Sequence, residues 1–215
     1  MALFGPSANL LCTIIISAGT LGALGALGLV WAIPRTDYAS RADLGVTQPV
    51  PFSHKHHVGG LGLDCRYCHQ TVERTATAGM PTTETCMTCH SQIWTGAPML
   101  APVRESLARD APLHWNRVYR LPDYVFFDHS VHVAKGVACE TCHGRVDRMP
   151  LTWREQALRM SWCLDCHRDP APNLRPHEAV FAMGWAPEPG APDGAALAER
   201  YGIHAGLTDC TVCHR

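Results

Sequence analysis

Hydrophobic residues are distributed very unevenly along the chain. Residues 10–33 (LLCTIIISAGTLGALGALGLVWAI) form an apolar run without a single charged side chain. As a helix this run extends roughly 36 Å, enough to cross a bilayer core. A cleaved signal peptide is the competing reading, but it calls for a basic leader, and residues 1–9 (MALFGPSAN) carry no charged side chain. We therefore expect residues 1–33 to hold a retained N-terminal transmembrane helix. Pro34 cannot donate a helical amide bond and should end it. Ala18, Gly22 and Ala26 recur at every fourth position, and small residues at that spacing form a face on which other membrane helices can pack. Cys12, at the start of the span, reads as a small apolar residue.

Beyond the anchor, neither helical nor strand periodicity is sustained. Residues 34–50 (PRTDYASRADLGVTQPV) read as an extended linker. Short helices are expected at VRESLARD (103–110) and within APDGAALAER (191–200), and loops across most of 168–209, which is rich in Pro, Gly and Ala. So little patterning means that something other than side chains must fill the interior.

The cysteines indicate what does. Ten of the eleven fall in five Cys-x-x-Cys-His motifs: Cys65/Cys68/His69, Cys86/Cys89/His90, Cys139/Cys142/His143, Cys163/Cys166/His167 and Cys210/Cys213/His214. A disulfide framework does not explain a histidine directly after each pair. Zinc would need a second pair of ligands to close each site. Covalent haem attachment needs this spacing: two cysteines clamp the porphyrin edge and the histidine reaches the iron. The expected cofactors are five covalently bound haem c groups, with His69, His90, His143, His167 and His214 as proximal ligands. The expected fold is a multihaem cytochrome c, mostly loops and short helices packed around five haems. Thioether formation on the outer side of the membrane would place this part there.

Five irons need further ligands. Phe52-Ser53-His54-Lys55-His56-His57 and Phe127-Asp128-His129-Ser130-Val131-His132 share the pattern Phe-x-His-x-x-His, and each precedes two haem motifs. This internal repeat divides the outer part into a first module with two haems (51–126) and a second with three (127–215). Histidines three apart share a helical face, so His54, His57, His129 and His132 are expected as distal ligands, with His56 facing away. No third such pattern exists for the fifth iron. Its candidates are Met149, Met160, Met183, His177, His114 and His204, with Met149 and Met183 favoured. Six-coordinate irons pass electrons and bind no substrate. The chain thus reads as an electron-transfer subunit rather than an enzyme acting alone. A net charge of −1 gives no argument for nucleic acid as a partner.

The stretches FSHKHHVGGLGLDCRYCH, PTTETCMTCH, RLPDYVFFDHSVHVAKGVACETCHG and MSWCLDCHR resemble the membrane-anchored pentahaem cytochrome c subunit of alternative complex III. The resemblance runs from the anchor to the last motif and is less distinctive after His167. It implies a subunit of a quinol-oxidising complex, with an iron–sulfur subunit, multi-span quinol-binding subunits and a monohaem cytochrome as partners. Electrons would leave to a soluble cytochrome c, a copper protein or an oxidase. It also implies methionine ligation of one haem. Two alternatives stay open: an anchored electron donor to a periplasmic reductase, and a multihaem enzyme or gas sensor with one open iron.

Overall fold

The computed structural model describes Gly5, residues 7–204 and residues 206–215; the start of the expected anchor (1–4) lies outside the described residues. The chain divides into two units, one up to Ala42 and one spanning Asp43–Arg215. In the first, α1 runs over Ala8–Ala32, beginning slightly before the apolar run. None of its residues is buried, and it is long and apolar enough to cross a membrane. Pro34 sits in a 3-10 turn, Ile33–Arg35, that ends the helix as its missing amide hydrogen requires. The Arg35 guanidinium lies 4.2 Å over the Trp31 ring and donates to the Trp31 carbonyl, a cation at the negative end of the helix dipole. A single turn, α2 (Asp37–Ser40), follows.

The second unit is built of short helices and loops: α3 (Cys65–Cys68), α4 (Thr83–His90), α5 (Ala101–Ala108), α6 (His129–Ala134), α7 (Cys139–His143), α8 (Met160–Arg168), α9 (Gly194–Arg200) and α10 (Cys210–Cys213). The helices expected near 103–110 and within 191–200 are α5 and α9. Between α2 and α3, Lys55–Gly60 forms a π-helical turn. Among the described residues, β structure is confined to isolated bridges such as Val137 with Leu174. Aspartates start several helices. Asp64, Asp128 and Asp193 accept from the backbone amides of Arg66, Ser130 and Ala196, supplying partners that the first turn lacks. Each cap lies just before a helix too short to be stable by propagation alone. Residues 43–50, part of the segment read as a linker, are tied down: the Asp43 amide donates to the Arg154 carbonyl and Val46 to Thr152.

Protein–protein packing in this unit is thin. One cluster joins Val50, Leu100 and Val103, with Cys86, Met87, Leu113 and Trp115 against it. Beside it the Thr83 and Ser106 hydroxyls form a buried 2.6 Å bond, and Ser106 passes the bond on to the Ala111 carbonyl. This cluster holds α4, which carries the second motif, against α5. Other buried apolar side chains, including Ala138, Met149, Val180 and Leu197, are scattered. Val103→Ala removes two methyl groups from the best-formed cluster and should lower stability by about 2 kcal/mol. Thermal unfolding of the holoprotein checks this, and an unchanged midpoint would show that the cluster adds little.

Candidate haem sites

None of the ten motif cysteines is paired in a disulfide. In every motif the two cysteines stand three apart on one helical turn, so both sulfurs face one side. Eight of the ten are partly covered by protein, and two are not. Cys89 is exposed, as is Cys210, so these two depart from an arrangement in which the chain encloses every attachment turn. At Cys89 the reason lies in how α4 packs. Protein covers its earlier part through Thr83, Cys86 and Met87, whereas Thr88, Cys89 and the Ser91–Gly96 stretch that follows are left largely to solvent. The contact made by the Cys89 sulfur is local, with the Thr88 hydroxyl donating at 3.9 Å.

The chain turns at or just past each motif histidine. His69, His90, His167 and His214 each direct Nδ1 to a backbone carbonyl, of Gly79 (2.7 Å), Ile93 (3.4 Å), Leu207 (2.8 Å) and Tyr124 (3.0 Å) respectively. The histidines of the two Phe-x-His-x-x-His elements are held in the same way. Nδ1 of His57 meets the Ser53 carbonyl, that of His129 the Ala76 carbonyl and that of His132 the Asp128 carbonyl, while His54 bonds the Thr152 hydroxyl. Occupying Nδ1 fixes the tautomer and leaves Nε2 free to bind a metal.

The free nitrogens belong to rings that face one another in pairs. His54 and His69 have ring centres 6.5 Å apart at 10°, His57 and His90 6.2 Å at 69°, His129 and His143 6.3 Å at 10°, and His132 and His167 6.1 Å at 39°. Two metal–nitrogen bonds of about 2.0 Å, plus roughly 1.1 Å from each nitrogen to its ring centre, put trans imidazole centres about 6.2 Å apart. The gaps therefore fit one metal ion each. Among the described residues no cluster of three or more His, Cys, Asp or Glu side chains could hold a metal. Each pair would thus offer a bound metal two nitrogens, which suits an iron whose remaining four positions belong to a porphyrin.

The phenylalanine of each element has a role that the sequence pattern did not reveal. Phe52 stacks on His57 (4.4 Å, 20°) and meets His54 edge-on (4.9 Å, 85°). Phe127 repeats this, stacking on His132 (4.5 Å, 25°) and meeting His129 edge-on (4.8 Å, 88°). One aromatic ring thereby orients two imidazoles. Burial, reinforced by the neighbouring His69 and His57, lowers the His54 pKa to about 4. Burial, with His129, His69 and His54 nearby, does the same for His143, also to about 4. Both rings are neutral at physiological pH, as metal ligation needs. His56 is exposed and lies over Trp94 rather than a motif histidine (5.6 Å, 24°).

The fifth motif is held differently. The His214 ring lies 5.9 Å from Tyr124, and the Phe126 amide donates to the Cys213 carbonyl. Met149 is 1% exposed, its carbonyl accepting from the Lys55 amide, and Met183 lines a shallow pocket with Val58, Gly59, Asp64, Asp147 and Phe181. Met149 thus sits beside the first histidine pair and Met183 near the first motif. His177 commits Nε2 to the Ala134 carbonyl (2.9 Å) and stacks on Tyr201 at 4.3 Å. His114 and His204 are exposed, as is Met160 (61%), the first residue of α8.

Porphyrin nitrogens would complete what each imidazole pair leaves open, and the adjacent thiols are set to anchor the ring. That places the chain among the mostly helical, multihaem c-type cytochromes. Comparison with known proteins agrees. The family model for cytochrome c7 and related cytochrome c matches residues 50–97, and the model for cytochrome c3 matches residues 131–215. The multihaem cytochrome c subunit of menaquinone reductase from Nitratidesulfovibrio vulgaris is 31% identical over 158 residues, covering 64% of this chain and 73% of that protein. The chain belongs to the family of multihaem cytochrome c subunits that includes this relative.

Gly59 follows the first histidine pair, and a Cβ there would collide with the Asp147 backbone carbonyl. Gly59→Ala should push apart the turns at 55–60 and 146–148 and cost about 2 kcal/mol. A holoprotein with wild-type melting behaviour would show that these turns can shift freely.

Proposed function

We propose that the chain carries five covalently attached haem c groups and serves as an electron-transfer subunit of a membrane-bound, quinone-linked redox complex. The observation that supports this most is the set of four imidazole pairs at 6.1–6.5 Å. His69, His90, His143, His167 and His214 are the proximal ligands. His54, His57, His129 and His132 are distal ligands to the first four in that order. The ten motif cysteines, exposed Cys89 and Cys210 included, are the thioether attachment points. Haem bound at such sites supplies one-electron transfer, so a row of them relays electrons. The protein's own task is to hold the imidazoles fixed in direction, which the Nδ1 bonds and the Phe52 and Phe127 rings do. Little need change on reduction when ligand, tautomer and ring plane are already set.

The pairing also supports two modules, 51–126 and 127–215, because each histidine pair faces motifs of its own module. The thin protein core suits porphyrins as the main filling. The apolar helix supports a single-span anchor, and haem attachment outside the membrane would set the rest of the chain on the extracytoplasmic face. Methionine remains our choice for the iron facing His214. The positions of Met149 beside the first histidine pair and of Met183 near the first motif favour neither, and exposed Met160, on the helix of the fourth motif, becomes the better candidate.

For the complex itself we favour the alternative complex III type. In it the chain takes electrons from quinol through an iron–sulfur subunit, beside multi-span quinol-binding subunits. It passes them to a monohaem cytochrome, soluble cytochrome c, copper protein or oxidase. The relative's name supports a second reading, with flow in the opposite sense, toward menaquinone. Anaerobic addition of menaquinol to the intact complex separates the two. Reduction of the haem bands is expected for quinol oxidation. Haems that stay oxidised with menaquinol, but are oxidised by menaquinone once reduced, would overturn it in favour of the second reading.

The ligand assignment has its own test. His57→Ala should keep all covalent haem while converting one low-spin iron to high-spin, read by electron paramagnetic resonance. An unchanged low-spin count would refute His57 as a ligand.

A further inference from the structure

Chain order suggests a relay running from the first motif to the fifth, with the modules meeting where the second motif gives way to the third. The structure joins them elsewhere. Within the first module, His54 and His57 share one turn and face the first and second motifs, and the Tyr67 hydroxyl of the first motif bonds the Thr88 hydroxyl of the second (2.7 Å). Within the second module, His129 and His132 share α6 and face the third and fourth motifs.

Two consecutive carbonyls bridge the modules. The Cys139 amide of the third motif donates to the Val180 carbonyl (3.2 Å), and the Cys65 sulfur of the first motif lies 4.0 Å from the Phe181 carbonyl. The Arg66 guanidinium, also of the first motif, lies 4.4 Å over the Phe181 ring. A second tie comes from the loop after the first motif. The Ala76 carbonyl accepts from both the amide (3.2 Å) and Nδ1 (2.8 Å) of His129, whose ring faces the third motif, and the Thr75 carbonyl accepts from the Ser130 amide. The first motif thus touches the third on one side and the second on the other.

The remaining two motifs sit outward. Cys86 of the second packs on the cluster of Val50, Leu100 and Val103, which is protein of its own module. The fifth adjoins the fourth. Leu207, three residues before Cys210, accepts from Nδ1 of His167, and the Phe126 amide holds the Cys213 carbonyl next to Phe127, the ring that stacks on the fourth motif's partner His132. Exposure follows the same division: of the motif cysteines, the exposed ones are Cys89 in the second and Cys210 in the fifth.

We infer that the motifs lie in space in the order second, first, third, fourth, fifth, with the two modules joined through their leading motifs. The first, third and fourth motifs are interior, so the second and the fifth are the ends at which the chain exchanges electrons with partner proteins. This rests on the reading of the imidazole pairs as iron ligands. The test is an electron cryo-microscopy structure of the intact complex with its haems, read for iron–iron distances. Between the modules, the irons of the first and third motifs should form the nearest pair, and the iron of the second should have the first as its nearest neighbour. If irons fill the imidazole pairs but the second and third motifs form the nearest inter-module pair, the order is wrong and the ligand reading stands. Imidazole pairs that hold no iron would overturn both.

Discussion

Everything in the second unit depends on a gap of about 6 Å between imidazole rings, the distance at which two neutral nitrogens can share one metal. Holding that gap four times requires eight rings with fixed direction, and the chain meets the need locally. A carbonyl one turn back holds His57 and His132, and a carbonyl or hydroxyl from elsewhere holds most of the others. A phenylalanine then locks each histidine pair from the side. The same construction appears at Phe52 and at Phe127, with stacking distances of 4.4 and 4.5 Å. Two independent stretches of sequence that reach one geometry argue for a duplicated device whose purpose is ligand placement.

The rest of the architecture follows from that device. A chain that surrounds large rigid cofactors gains little from long helices, and the helices beyond the anchor are short. Single aspartates start α3, α6 and α9, and α3, α4, α7 and α10 end at or just before a motif histidine. Partly buried charge serves the same placement. Glu140, inside the third motif, accepts from the Gly184 amide (2.6 Å) and from Arg175, which lies against Trp185. Arg145 forms a bidentate pair with Asp147, and the guanidinium, through hydrogen bonding and charge, holds the Asp147 carboxyl below the usual carboxylate range. These contacts fix the segment 180–184 beside the third motif, where it also meets the first. Exposed pairs such as Arg109–Glu105 contribute much less.

Much of this was legible from residue spacing. Cys-x-x-Cys-His named the attachment turns, and Phe-x-His-x-x-His predicted which histidines would face them. The structure brings those rings together in four facing pairs. His56 turned outward as its off-register position implied, and α5 and α9 lie where local propensity placed them. The carbonyls of Gly79, Ala76, Leu207 and Tyr124 left no trace in the sequence, because any residue can supply a backbone oxygen. Spacing is also the same in all five motifs, so it did not mark Cys89 and Cys210 as the exposed attachment points; tertiary packing decides that. Nor could it reveal that residues 180–181 meet both the first and the third motif, since that contact joins Cys65 to a position more than a hundred residues away. Spacing marks no partner for His214, and of the two methionines favoured by sequence Met149 sits beside the first histidine pair and Met183 near the first motif.

In the proposed arrangement four irons would have two histidine ligands and one would not. Near-infrared magnetic circular dichroism of the oxidised holoprotein separates bis-histidine from histidine–methionine iron by the energy of a charge-transfer band. We expect intensity in a ratio of four bis-histidine irons to one of another kind. A spectrum in which bis-histidine iron is a minority would contradict the account.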